Sequence, residues 1–225
     1  MPPKLIASIQ RRRAAARGIY DLGVDRPATN FLSHAHSMNN IFEEAFSLQQ
    51  FLQKQKLRFC FIGGLALQRW GDPRLTNDID LTIFTGFKAE GDLIDILLGQ
   101  FKARVPNARE TALITRVILL YSPTGVGIDI ALGGLPFEEH TIERASEAEF
   151  LPGIFLNTCS AEDLLVHKSF AARPKDWIDI EGIILRQAAL DWSYIEEQLR
   201  PLLELKEEPE LWDVLEGMKK KLLRL

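Results

Sequence analysis

Three aspartates in two apolar runs are the residues of this sequence best placed to do chemistry. Asp78-Ile79-Asp80-Leu81-Thr82-Ile83 alternates polar and aliphatic side chains. As a strand it puts Asp78, Asp80 and Thr82 on one face and Ile79, Leu81 and Ile83 on the other. Gly127-Ile128-Asp129-Ile130-Ala131-Leu132 repeats the pattern, with Val126, Ile128, Ile130 and Leu132 turned inward and Gly127, Asp129 and Ala131 opposite. If the two strands are neighbours, three carboxylates converge beside small residues. Such carboxylates repel one another, and a divalent cation is the natural remedy. An all-oxygen ligand set of Asp78, Asp80 and Asp129 suits Mg²⁺ or Mn²⁺.

A second feature lies upstream. Phe61-Ile62-Gly63-Gly64-Leu65-Ala66 reads as a strand that ends in two glycines and enters a helix. No Cβ blocks an anion there, and the positive end of the helix dipole attracts it. A phosphate cradle at Gly63 and Gly64 beside a carboxylate cluster is the equipment for moving a nucleoside monophosphate from an NTP. Arg74 and Thr76 lie just before the first aspartate; local capping or pairing is one use of both, and nucleotide binding, since a guanidinium suits phosphate, is the use expected.

These residues resemble the signature of the DNA-polymerase-β-like nucleotidyltransferases. In that pattern two small residues, Gly63-Gly64, precede thirteen residues and then Asp78-Ile79-Asp80, with Asp129 as a third carboxylate on a later strand. Arg74-Leu75-Thr76-Asn77 before the aspartates is similar to a bacterial branch that includes the toxins of abortive-infection type IV toxin–antitoxin systems. Leu164 to Lys168 and the later Asp176 and Asp179 look like that branch's helical motifs. The resemblance spans roughly residues 38–187. It implies Mg²⁺ or Mn²⁺ on the three aspartates, an NTP substrate, and Lys168 reaching a triphosphate oxygen. It also implies that Asp129 helps deprotonate an acceptor hydroxyl. The acceptor is left open among a tRNA 3′ end, a protein hydroxyl and a small molecule, and a cognate antitoxin protein is an implied partner. Read from the residues alone, Lys168 is an ordinary helical lysine. Asp176 either caps a helix near Pro174 or, like Asp179, pairs with Lys168 or Arg173.

The elements that must hold these groups form an α/β chain. Apolar spacing predicts a helix over residues 39–56 and a short strand at 58–62. A helix is expected at 65–70, a strand at 78–84 and a helix at 92–101. Strands at 113–121 and 125–132 should form a hairpin around Ser122-Pro123-Thr124-Gly125. A weakly patterned run at 154–157 is read as a strand. Beyond Ser160 the pattern is helical, broken at Pro174, Pro201 and Pro209. The expected organisation is a loosely attached basic leader over 1–37, a catalytic core with a small mixed sheet over 38–158, and a helical domain over 159–225.

Composition bounds the rest. With 225 residues, 46% hydrophobic and 26% charged, the chain is of ordinary globular type. Its net charge of −4 divides unevenly. Lys4, Arg11, Arg12, Arg13, Arg17 and Arg26 against Asp21 and Asp25 make the leader basic, and the body is correspondingly more acidic. His34 and His36 form an isolated His-x-His in that leader. Cys60 and Cys159 exclude a disulfide framework and a cysteine zinc knuckle, and they suit a reducing cytoplasm. No run is long and apolar enough for a bilayer. Competing readings are a non-catalytic nucleotide- or partner-binding member of the same fold, and a sugar transferase using Asp-x-Asp.

Overall fold

The computed structural model describes the backbone of residues 31–224 and the side chains of residues 40–224. The expectations for a loose leader and for the His34 and His36 side chains therefore fall largely outside the described residues. The first described helix, α1 (Phe31–Lys54), runs through the boundary expected at 37/38.

A seven-stranded mixed sheet organises the chain, in the order β3-β4-β5-β2-β1-β7-β6. Its strands are β1 (Phe59–Phe61), β2 (Asp78–Phe84), β3 (Lys102–Ala103), β4 (Val117–Tyr121), β5 (Gly127–Gly133), β6 (Ser146–Leu151) and β7 (Ile154–Thr158). The central pair β2 and β5 is parallel, as is β1 with β7, and the remaining pairs are antiparallel. Ile79, Leu81, Ile83, Ile128, Ile130 and Leu132 are all fully buried. They pack in one cluster with α1 and α3 (Glu90–Gln100). This is the inward face expected from the alternation. The opposite side of the sheet packs through Cys60 and Ile62 on α2 (Gly63–Trp70), α6 (Ala161–Ala171), α7 (Pro174–Arg186), α8 (Trp192–Lys206) and α9 (Leu211–Leu223).

Several elements depart from the expectation. Residues 113–116 do not open β4: Leu113 and Ile114 belong to α4 (Ala108–Thr115), where they are 42% and 53% exposed. Arg116 closes that helix in the left-handed region, at φ 58°. The cost of that conformation is about 1–2 kcal/mol for a residue with a Cβ. It is offset because the Arg116 guanidinium is buried, bonding Glu90 and the carbonyls of Leu132 and Gly86. Pro201 does not break α8. It sits on an exposed face, where the carbonyl it leaves unbonded meets water, while Ile195, Leu199, Leu202 and Leu203 are buried.

Besides the two-residue β3, two elements have no counterpart in the sequence pattern. One is β6, whose Glu147 and Glu149 make a charged edge strand instead of an apolar run. The other is α5 (Pro136–Glu143). The 122–125 turn does join β4 and β5 as a hairpin. Among the described residues no helix is long and apolar enough to cross a membrane.

Candidate active site

Strand pairing puts the aspartates together. β2 and β5 run in register so that Asp80 lies opposite Asp129 and Asp78 opposite Gly127. Neighbours in register point to the same face, so the three acids share one surface. At its far end this face is closed: Thr82 is fully buried and its hydroxyl lies 3.5 Å from the Ala131 carbonyl. The acids occupy the half-buried end.

Three glycines exist because these side chains need the space. A Cβ on Gly127 would stand 2.3 Å from Asp78 Oδ1, and one on Gly63 would stand 2.2 Å from Asp80 Oδ2. Gly63 also takes φ +60°, which glycine adopts without strain. A Cβ on Gly64 would likewise stand 2.3 Å from the Thr76 hydroxyl. Thr76 is buried and donates to the Asp78 carbonyl at 3.1 Å, fixing the entry into β2. Gly63 and Gly64 form the first turn of α2, two residues ahead of the expected start, and no side chain caps it. First-turn N–H groups have no partner within their own helix. Here that turn packs directly against Asp80.

Sequence reasoning missed Arg104. Its backbone N–H donates to the Leu119 carbonyl at 2.9 Å, which continues the β3–β4 ladder by one residue. Arg104, Leu119, Asp129 and Asp80 thereby form one row across the sheet, and the Arg104 guanidinium bonds Asp129 Oδ1. The signal was hidden because β3 is two residues long. Tyr121, on the same face, lies with its ring centroid 5.7 Å from the guanidinium carbon. Tyr121 also lines an open hollow of about 700 Å³ with Lys102 and residues 122–125.

The other expected residues gather in a second cluster. Lys168 is buried, its ammonium 2.5 Å from Asp179 and 3.5 Å from Asp176. Arg74 grips Asp179 with two bonds of 2.8 Å. Asp176 accepts from the Arg173 backbone at 3.2 Å and from its guanidinium at 2.6 Å, so it both caps α7 and pairs. Burial would raise the Asp179 carboxyl, but the bonds from Arg74 and Lys168 outweigh it and hold the group below the usual range. The bond to Asp179 likewise raises Arg74. Lys168 and Arg74, expected to touch phosphate, here bond carboxylates that join the β2 approach to the helical half.

Among the described residues, no three His, Cys, Asp or Glu side chains are gathered closely enough to hold a metal ion as they stand. The donor chemistry nonetheless fits a divalent cation. Asp80 and Asp129 supply adjacent carboxylates in register, and a positive group already sits on Asp129.

Comparison with known proteins gives this geometry a family. The family model described as nucleotidyl transferase AbiEii toxin, type IV TA system, matches residues 48–218. The chain belongs to that family. It is a nucleotidyltransferase, and Gly63, Gly64, Arg74, Thr76, Asp78, Asp80, Asp129 and Lys168 all lie within the AbiEii match. No curated protein matches the chain. Among solved structures, the antibiotic-resistance factor ANT(2'')-Ia is similar at TM-score 0.51 and 16% identity, over 80% of this chain and 96% of that one. That similarity shows the fold. An antigenic nucleotidyltransferase-like protein from Paracoccidioides brasiliensis aligns at TM-score 0.49 and 19% identity, over 80% of this chain and 94% of that one. The lincomycin-bound lincosamide antibiotic adenylyltransferase LnuA aligns at 0.44 and 17%, over 63% and 94%.

Proposed function

We propose that this AbiEii nucleotidyltransferase transfers a nucleoside monophosphate from a metal-bound NTP to an acceptor hydroxyl, and does so as the toxin of a toxin–antitoxin pair. The observation that carries the reading is the in-register Asp80–Asp129 pair with the Gly63 turn packed on Asp80. Asp78, Asp80 and Asp129 would hold Mg²⁺ or Mn²⁺. A cation bound there supplies charge neutralisation for the polyphosphate and for the pyrophosphate that leaves.

The chain's own residues do the rest. Backbone N–H groups of Gly63 and Gly64 receive phosphate oxygens at the helix start. The acceptor oxygen bonds to the α-phosphorus as the bond from that phosphorus to the bridging oxygen breaks, and a carboxylate oxygen of Asp129 takes the acceptor proton. Thr76 sets the entry into β2. Arg74 and Lys168 act through Asp179, seating the helical half (159–225) against the catalytic core (38–158). The acceptor is a tRNA 3′ end, a protein hydroxyl or a small molecule. An antitoxin protein restrains the activity in the cytoplasm, where NTPs are found.

The test is transfer of labelled nucleotide. The protein is incubated with each α-labelled NTP, Mg²⁺ and cell extract, and labelled products are separated by class. Wild type should label one class and Asp80→Ala should not. Equal labelling by both proteins would remove Asp80 from the site.

A further inference from the structure

The Arg104–Asp129 contact points beyond the reaction itself, to how the site admits its cation. Arg104 is only 17% exposed, and Asp129 14%. The same guanidinium nitrogen that bonds Asp129 lies 3.0 Å from where a Cβ on Gly127 would be. That Cβ would in turn stand 2.3 Å from Asp78 Oδ1. The nitrogen is therefore poised above Gly127, between the carboxylates of Asp129 and Asp78. A positive group at that spot relieves the repulsion that neighbouring strand carboxylates impose on the fold.

We propose that Arg104 is a built-in counter-cation: it neutralises Asp129 in the nucleotide-free enzyme and gives way when a divalent ion binds there. The inference rests on the metal-dependent reading above. A guanidinium bonded to Asp129 offsets that carboxylate's charge and sets a positive charge beside an incoming cation, so the two compete electrostatically. Competition of this kind lowers the affinity of the empty site for a bare ion. An NTP brings its own negative charge, which offers the displaced guanidinium a new partner, so metal and nucleotide enter together. The Tyr121 ring, already beside the guanidinium, is a resting place near the same face. By linkage, whatever favours release of Arg104 favours metal binding by the same factor.

The experiment is a Mn²⁺ titration of the full chain without nucleotide, read by electron paramagnetic resonance, for wild type, Arg104→Gln, Asp129→Asn and the double variant. Arg104→Gln should bind Mn²⁺ about ten- to a hundredfold more tightly than wild type, the range set by loss of one charge-assisted hydrogen bond. In the Asp129→Asn background the Arg104 change should have a much smaller effect. Equal or weaker Mn²⁺ binding by Arg104→Gln, with wild-type binding still dependent on Asp129, overturns the proposal and leaves the metal-dependent reading standing. If wild type shows no Asp129-dependent Mn²⁺ binding even with NTP present, both fall. Should Arg104→Gln not fold, wild type answers alone: the Arg104 side-chain NMR resonance, assigned with Arg104→Lys, should move when Mg²⁺ and a non-hydrolysable NTP bind. A resonance that stays in place in the saturated complex overturns the proposal.

Discussion

Replacing Lys168 by Met separates two roles for this residue. If its ammonium serves the triphosphate, the variant folds normally and loses nucleotide affinity. The structure argues otherwise. Lys168 is 5% exposed, Asp179 3% and Asp176 0%, with the ammonium 2.5 Å from one carboxylate and 3.5 Å from the other. Removing one partner from a buried pair typically costs about 3–5 kcal/mol, because a charge is left uncompensated. In Lys168→Met each carboxylate retains an arginine, Arg74 on Asp179 and Arg173 on Asp176, so the low end applies, about 3 kcal/mol. Asp179→Asn should cost more, about 4 kcal/mol. It strands the buried ammonium with Asp176 alone at 3.5 Å and takes the carboxylate from Arg74 as well. For a chain of this length about 1 kcal/mol moves the melting temperature by roughly 2–4 °C, so Lys168→Met should melt about 6–12 °C lower. The assay is thermal and urea unfolding of the nucleotide-free proteins. A Lys168→Met melting point within about 1 °C of wild type, the range of a neutral surface change, would refute the clamp and return Lys168 to the phosphates.

Two further predictions follow from the same contacts. Gly63→Ala must place its Cβ 2.2 Å from Asp80 Oδ2 at φ +60°; it should displace that carboxylate, lower nucleotide transfer at least about a hundredfold and cost about 1–2 kcal/mol from the backbone. Gly99→Ala, which meets nothing within 4 Å, is the control that should leave the transfer assay unchanged. For acid stability, the folded Asp179 carboxyl lies below its unfolded value of about 3.9. Its contribution is therefore full above that value and is lost as pH falls through the folded one. Urea midpoints measured from pH 6 to 3 should decline more steeply for wild type than for Asp179→Asn, and parallel curves would contradict the assignment.

The central strands were legible because a sheet buried on one side writes its period into the chain. Ile79, Leu81 and Ile83, with Ile128, Ile130 and Leu132, are the inward residues that the alternation names, and their burial leaves the aspartates nowhere to go but the other face. What no alternation encodes is which strands are neighbours. Register between β2 and β5, separated by more than forty residues, comes from packing of the whole sheet. The misreading at 113–116 has a local cause: Ala-Leu-Ile-Thr carries β-branched and apolar residues, yet the buried ones are Ala108 and Ala112, one helical turn apart. Arg104 was invisible for a related reason. Its place depends on a single hydrogen bond that extends an edge strand by one residue.

The two ionic clusters show why charge balance separates scaffold from site. Around Asp176 and Asp179 stand Arg74, Lys168 and Arg173, so cations outnumber carboxylates and hydrogen bonds join them. The two carboxylates of such a cluster are fully compensated and have no use for an outside cation, and both are buried. Across the sheet, Asp80 and Asp129 are directly opposite on adjacent strands, an arrangement that destabilises a sheet by like-charge repulsion. Glycine at 63 and 127 also lets Asp80 and Asp78 lie close to the backbone. Apolar residues at the three positions would build a sounder sheet. Arg104 offsets one of the three acids from within the fold, and the divalent cation proposed above would offset the other two. The segment 74–80 joins the two clusters, anchored by Arg74 in the closed one and carrying Asp78 and Asp80 in the other. Movement of the helical half should therefore be felt at Asp78 and Asp80 through this segment.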